Sequence, residues 1–448
     1  MKKRTFTRYT LFVCIIAALG GLLFGYNATV ISGVLLFVSQ QFSFTTFQQE
    51  IIVSTLIVGA FLGAGFGGML ADKIGRKKTL LLTTILFAIG TVLLMVSQGM
   101  GSLLIGRFVS GFAIGIASLA VPLYIAEMSD PDHRGALVSL NQLAITIGIL
   151  LSYGIDYAFS SDDQWRLMFG FALIPAILMF VGLFFIPETP SFLVANGKIE
   201  KATKVLKKIT TNKASLESLN ELEEGSKKKL VNWQTLLSKS IRPALIVGIL
   251  VSVFQQITGI NTVIYYAPKI FQFAGFQSAS SAILASLGIG VVNVIVTIIA
   301  LWIIDIVGRR LLLIVGIIGM VVSLSILGMA FFISAASIGS IAVVSLMSYV
   351  AFFAIGLGPV AWLIISEIYP LGVRGRAMGI ATFANWVCNY IVSLTFLSLI
   401  DFLGTAGAFW LYAVIGLIAL WFVCKRVPET KGKTLQQIQK YWKHQAEE

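Results

Sequence analysis

Six carboxamide side chains stand inside apolar stretches of this 448-residue chain: Gln142, Gln255, Gln256, Asn261, Asn293 and Asn385. A carboxamide offers donors and an acceptor without carrying charge. A set of them can therefore replace the water around a solute rich in hydroxyls and still let it go. Polar groups in apolar spans are costly and usually face a bundle interior. The plainer reading is that such amides hydrogen-bond neighbouring helices as packing contacts. Gln255, Asn261 and Tyr265 are six and four residues apart, which keeps them broadly on one side of a helix.

A second set is charged, and it occurs twice. Asp72-Lys-Ile-Gly75-Arg76-Lys77 recurs 233 positions on as Asp305-Ile-Val-Gly308-Arg309-Arg310. Glu127 with Arg134-Gly135 recurs 240 positions on as Glu367 with Arg374-Gly375, and Pro187-Glu188-Thr189 recurs 241 positions on as Pro428-Glu429-Thr430. Three matches in register indicate an internal duplication. Salt bridges among Asp72, Arg76, Glu127 and Arg134 in one half, and among Asp305, Arg309, Glu367 and Arg374 in the other, would make a two-state gate. Snorkelling anchors would explain the Lys and Arg residues, but not the two Glu residues in register with them.

These residues need elements to hold them, and composition says which. The chain is 57% hydrophobic and 12% charged with a mean hydropathy of +0.91, more apolar surface than one soluble core hides. About twelve stretches approach the roughly 20 residues of a spanning helix: 10–33, 50–71, 79–98, 102–124, 136–157, 166–186, 241–266, 280–305, 311–333, 341–366, 376–400 and 408–427. Of 33 Lys and Arg, 30 fall in the tails and the even-to-odd loops, leaving Arg107, Arg166 and Lys269 on the other side. That bias puts both termini in the cytoplasm and reads the excess of basic residues as topology, not nucleic-acid binding. The expected fold is an all-α membrane protein of twelve helices. It comprises a six-helix bundle over 1–186, a cytoplasmic linker over 187–240 with amphipathic helices near 198–208 and 215–229, a second bundle over 241–427, and a tail over 428–448. The even repeat predicts two bundles of like orientation with a solute site between them. No phosphate-binding loop occurs. Three scattered Cys residues form no disulfide or metal pattern, so no cofactor or metal is expected. His133 and His444 both fall in cytoplasmic segments. Apart from the repeated pairs the spans hold almost no carboxylates or His, which argues against an embedded enzyme.

Together the motifs name a family. Gly25-Tyr26-Asn27, Asp72 to Arg76, Gly106-Arg107-Phe108, and Pro122-x-Tyr124-x-x-Glu127 through Arg134-Gly135 stand in the first half. The second half holds Gln255-Gln256-x-x-Gly259-Ile260-Asn261-x-x-x-Tyr265-Tyr266, Gly358-Pro359-x-x-Trp362-x-x-x-Ser366-Glu367 and Pro428-Glu429-Thr430-Lys431-Gly432. Along nearly its whole length the chain resembles the sugar porters of the major facilitator superfamily. The resemblance implies a monomeric cell-membrane transporter of a hexose such as D-glucose or a pentose such as D-xylose, working by alternating access. It also implies that the six amides, with Phe24 and Trp362, line the sugar site, where Trp362 stacks on the sugar's C–H face.

The sequence departs from that family at Ser191, where an Arg is usual, and one basic contact near the gate is absent. Asn27 and Arg107 lie at similar depth, roughly 8–9 Å below the outer edge at 1.5 Å per residue, and can meet. Proton-coupled members of the family carry Asp at the Asn27 position, whereas Asn cannot titrate. The expectation is therefore facilitated diffusion; the alternatives are proton symport coupled elsewhere, through Glu127 or Glu367, and an Asn27 that is an engineered substitution. Ile149, seven residues after Gln142, is apolar as in glucose-type members. A sugar sensor and a drug exporter are the other classes weighed. The short tail argues against the first, and the Pro-Glu-Thr strings against the second.

Overall fold

Within a bilayer a backbone must satisfy its own hydrogen bonds, and an α-helix does so within one segment. In the computed structural model every regular element among the described residues is an α-helix. Those residues are 7–130, 133–161, 163–209, 238, 241–334, 337–370, 373–433, 437–438 and 441–442. The helices are α1 (Arg8–Thr29), α2 (Ile31–Gln41), α3 (Thr46–Ile74), α4 (Arg76–Met95), α5 (Met100–Glu127), α6 (Arg134–Ala158), α7 (Trp165–Gly170), α8 (Leu173–Phe185) and α9 (Pro190–Ala195). They continue as α10 (Ile199–Ile209), α11 (Arg242–Ile257), α12 (Ile260–Phe273), α13 (Ala279–Val307), α14 (Arg309–Phe332), α15 (Ile338–Ile355), α16 (Leu357–Ile368) and α17 (Arg374–Arg426).

Among the described residues, 11 helical stretches are long and apolar enough to cross a membrane. The last, α17, runs for 53 residues and takes in the stretch expected at 376–400 and all but the final residue of that expected at 408–427. At 1.5 Å per residue it would be roughly 80 Å long, well beyond a hydrocarbon core of about 30 Å. Gly404, with φ 72° and ψ 164°, breaks its helical path. Large apolar side chains such as Trp302, Phe402 and Phe185 are left exposed, as suits lipid and not water.

Contacts divide the chain into two units. The first holds the described residues of 1–30, 55–155 and 164–229, and the second those of 31–54, 156–163 and 230–448. In the first unit α1 packs on α5 and α8, and α4 on α5. The backbones of α3 and α5 meet at Gly111 and Gly115, where a Cβ would strike the carbonyl oxygens of Leu56 and Ala60. Small residues let spanning helices approach this closely. Amphipathic α10 buries Ala202, Val205, Leu206 and Ile209 and contacts α9 and α1. The helix expected at 215–229 lies outside the described residues. In the second unit α14 packs on α15 and α17, α11 on α16 and α17, and α12 on α13 and α2.

Four expected continuous spans are broken: those at 10–33 and 166–186 divide between α1 and α2 and between α7 and α8, and two more break at a glycine. The stretch expected at 241–266 divides at Gly259, which takes the left-handed conformation at φ 94°. The stretch expected at 341–366 divides at Gly356, between α15 and α16. A glycine in an apolar run shortens no hydrophobic period, so periodicity does not reveal such a break.

Candidate functional site

The breaks matter because they bring amides together. Gln255 and Gln256 close the last turn of α11, and Asn261 opens α12 just beyond Gly259. Asn261 donates from Nδ2 to Gln256 Oε1 at 2.6 Å, and Gln256 donates from Nε2 to Asn385 Oδ1 at 3.1 Å. Asn385, on α17, donates from Nδ2 to Gln255 Oε1 at 2.8 Å and to the Ser252 carbonyl at 2.9 Å. Gln255 ends the relay by donating from Nε2 to the carbonyls of Leu357 (2.9 Å) and Gly358 (3.1 Å), where α16 begins beside Gly356. Four side chains from three elements thus form one chain of neutral donors and acceptors. Gln255, Gln256 and Asn385 are buried, and Asn261 at its end is half-buried.

Asn293 stands apart from that relay: it is buried on α13 and accepts from Thr297 in its own helix. Trp362, on α16, is half-buried, as are Phe24 and Gln142 in the first unit. Tyr265 is buried one turn after Asn261.

The repeated charges build one cluster in each unit. In the first, Arg76 Nη2 lies 3.0 Å from Glu127 Oε1 and 3.2 Å from Asp72 Oδ1. In the second, Arg309 Nη2 lies 3.2 Å from Glu367 Oε1. Arg134 and Arg374 reach backbone carbonyls, those of Ala126 and Tyr369. The Asp305 side chain lies outside the described residues. A cavity of roughly 320 Å³ opens beside the second cluster, lined by Arg309, Glu367, Arg374, Thr430 and Lys433 among others.

Each cluster has a member that the sequence reading did not assign. The Glu188 carboxylate accepts the backbone N–H groups of Arg76 (3.0 Å) and Lys77 (3.1 Å) at the start of α4. Glu429 does the same for Arg309 and Arg310, both at 3.0 Å, at the start of α14. A helix N-terminus presents unpaired N–H groups and favours an anion. Gly75 and Gly308 precede those helices at φ 98° and 106°, and a Cβ on either would press into the carboxylate. Burial pushes the Glu429 carboxyl up, but N–H groups of Lys431, Arg309, Arg310 and Thr430 outweigh it and hold Glu429 below the usual carboxylate range. The signal was in the sequence: Pro-Glu-Thr recurs at nearly the same offset as the other two motifs.

Asn27 and Arg107 meet in the first unit. Arg107 Nη1 donates to the Asn27 backbone carbonyl at 2.8 Å, while the Asn27 amide donates to the Leu23 carbonyl at 3.0 Å. Both residues are almost wholly buried. Two further buried carboxyls, Glu50 and Asp156, lie near span ends and were not singled out from sequence.

Residues 13–442 match the family model described as "Sugar (and other) transporter". The chain is 43% identical over 435 residues to a D-xylose transporter of Levilactobacillus brevis, covering 96% of this chain and 94% of that one. It is 42% identical over 434 residues to the glucose transporter GlcP of Staphylococcus epidermidis, covering 96% of each. Among solved structures it is similar to the xylose transporter XylE of E. coli in a partially occluded inward-open conformation. There the TM-score is 0.84 at 33% identity, over 96% of this chain and 100% of that one. The same E. coli protein, described as a major facilitator superfamily proton:xylose symporter, matches at a TM-score of 0.80 when bound to 6-bromo-6-deoxy-D-glucose, over 97% and 99% of the two chains.

Proposed function

The chain belongs to the sugar transporter family, as an integral membrane protein and not an enzyme, and from that premise we propose that it is a secondary transporter of monosaccharides working by alternating access. The observation that carries the proposal is the amide relay Asn261–Gln256–Asn385–Gln255. Sugar hydroxyls can enter such a relay by exchanging one neutral hydrogen bond for another, at little cost in either direction. Asn293, Gln142, Phe24 and Trp362 are further proposed sugar contacts. The substrate is a hexose or pentose such as D-glucose or D-xylose, in line with the names of the relatives. The apolar Ile149 favours glucose.

On this reading the chain crosses twelve times, with α17 counted as two about Gly404, the bias of basic residues puts both termini in the cytoplasm, and the protein works as a monomer in the cell membrane. The Arg76–Glu127 and Arg309–Glu367 clusters act as the cytoplasmic gate, each keyed by a carboxylate at a helix start. Asn27 cannot titrate and its amide is already engaged by Leu23, so the Asn27–Arg107 pair passes no proton. On that pair alone, transport is facilitated diffusion. A second reading, symport through another carboxyl, is favoured by the burial of Asp156.

Calorimetric titration of the purified protein with D-glucose and D-xylose tests the substrate class. Saturable binding of either sugar supports it, and no heat from either, nor from other monosaccharides, contradicts it.

A further inference from the structure

Residues 31–54 and 156–163 stand in the first half of the duplicated sequence, yet the described residues of both segments belong to the second unit. Each segment makes a polar contact with an element of the second half. At the start of α3, Glu50 is 0% exposed and accepts from Ser398 on α17 twice, from the backbone N–H at 2.7 Å and from Oγ at 2.6 Å. Its neighbour Gln49 accepts from Lys269 on α12, which lies within electrostatic reach of Asp401 and Glu50. Just beyond α6, the Ser160 hydroxyl is 2.6 Å from that of Ser280, in the first turn of α13. Between these contacts α2 packs on α12 and α13.

Helix lengths fix the depth of these contacts. Along α17 the order is Arg374 at the charge cluster, Asn385 in the amide relay and Ser398 at Glu50, with steps of roughly 16 and 20 Å at 1.5 Å per residue. Along α12, Lys269 stands eight residues beyond Asn261, roughly 12 Å. The contacts therefore lie on the side of the relay away from the charge cluster. Helix α3 spans the same depth: from Glu50 to Asp72, at the first unit's cluster, it rises roughly 33 Å, about the thickness of a hydrocarbon core. Its first residues belong to the second unit and its remainder, from Thr55, to the first.

The chemistry suits a contact that opens and closes. Two donors from Ser398 and a cation nearby compensate a carboxylate shut away from water. Water supplies equivalent donors once the groups separate, so the net difference between the two states is modest. Thr45 and Gln48 cap the start of α3 reciprocally, Thr45 N–H to Gln48 Oε1 at 2.9 Å and Gln48 N–H to Thr45 Oγ1 at 3.3 Å, which holds the turn that presents Glu50. We propose that Glu50 on Ser398, with Gln49 on Lys269 and Ser160 on Ser280, is the latch that shuts the outer mouth of the sugar path and is broken each time sugar enters from outside. Only hydrogen bonds break and re-form in this step. The inference rests on the alternating-access reading and adds the outer gate that the cytoplasmic clusters leave unassigned.

The test is the pair Ser160→Cys and Ser280→Cys in the full chain, reconstituted in proteoliposomes. Hydroxyls in contact put the two thiols within disulfide reach. Oxidation is expected to crosslink the pair and stop counterflow of D-glucose or D-xylose, relative to wild type treated alike, and reduction to restore it. Counterflow that persists with the crosslink formed overturns the proposal, as does a pair that never crosslinks. Sugar binding by the oxidised protein in detergent should stay saturable, because the site remains open from the cytoplasmic side; its loss would mean a damaged site and overturns the proposal. Adding Glu50→Ala is expected to slow crosslinking several-fold, since the mouth then spends less time shut, and an unchanged rate overturns the role of Glu50. Should the serine pair not insert, Gln49→Cys and Lys269→Cys joined by a bifunctional maleimide read the same closure, with arrested counterflow supporting the proposal and persistent counterflow overturning it. Absence of wild-type counterflow for every monosaccharide refutes the transport reading itself, and this inference with it.

Discussion

Arg107 donates a guanidinium N–H to the backbone carbonyl of Asn27, 2.8 Å away. The Asn27 amide turns the other way, onto Leu23 in its own helix. The two residues are held together by a contact that any side chain at position 27 would allow, and this separates the structural role of the pair from proton chemistry. What residue 27 adds is whatever its side chain can titrate, which for Asn is nothing.

Asn27→Asp places a carboxylate beside a buried guanidinium, where the ion is favoured by the opposite charge. Sugar uptake by this variant should acquire a pH dependence beyond any that the wild type shows. Initial rates across a pH series measure it. An inert Asn27→Asp would show that Arg107 stays committed to the backbone.

The amide relay predicts a loss of sugar affinity. Gln256→Ala removes the link between Asn261 and Asn385, and Gln142→Ala removes one proposed contact from the first unit. Each should weaken binding by ~1–3 kcal/mol, a hydrogen bond or two. If the amides were packing contacts alone, thermal stability without sugar would fall and affinity would not. Titration and melting of both variants separate the cases, and unchanged affinity in both removes the site assignment.

Much of this could be read from the chain because chemistry and spacing coincided. The Arg76–Glu127 and Arg309–Glu367 contacts follow from motifs repeated in register, and depth along two apolar runs brings Asn27 to Arg107. Other features left no periodic trace. Gly259 and Gly356 break helices without interrupting hydrophobicity, so joining Asn261 to Asn385 through Gln256 required coordinates. Asp156 sits near a span end, where sequence cannot tell a wet carboxyl from a dry one. Glu188 and Glu429 act through backbone N–H groups, which leave no mark in the identities of the residues they contact.

The charge clusters predict a rate effect without a binding effect. Glu127→Ala breaks the Arg76 contact and leaves the bonds of the Asn261–Gln256–Asn385–Gln255 relay in place, so sugar affinity should hold while counterflow slows. Glu188→Gln, which weakens the acceptor for the α4 N–H groups, should slow it in the same direction. Normal turnover in Glu127→Ala would leave these residues as membrane anchors.

Glu429 predicts an acid-dependent stability. Its folded-state carboxyl lies below the usual range, so its contribution is present above the ordinary Glu value of about 4.3 and is lost as pH falls through the lower folded value. The difference in melting temperature between wild type and Glu429→Gln should be constant near neutral pH and shrink below roughly pH 4. A difference that does not change with pH would show that the charge contributes nothing there.

Counterflow tests the account most directly, because it needs neither a proton gradient nor a coupling residue. Proteoliposomes loaded with unlabelled D-glucose or D-xylose are diluted into a trace of the labelled sugar. The account predicts a transient rise of internal label above the outside concentration, abolished when unlabelled sugar is omitted from the lumen. Label entering no faster than into protein-free vesicles, for these and other monosaccharides, would contradict it.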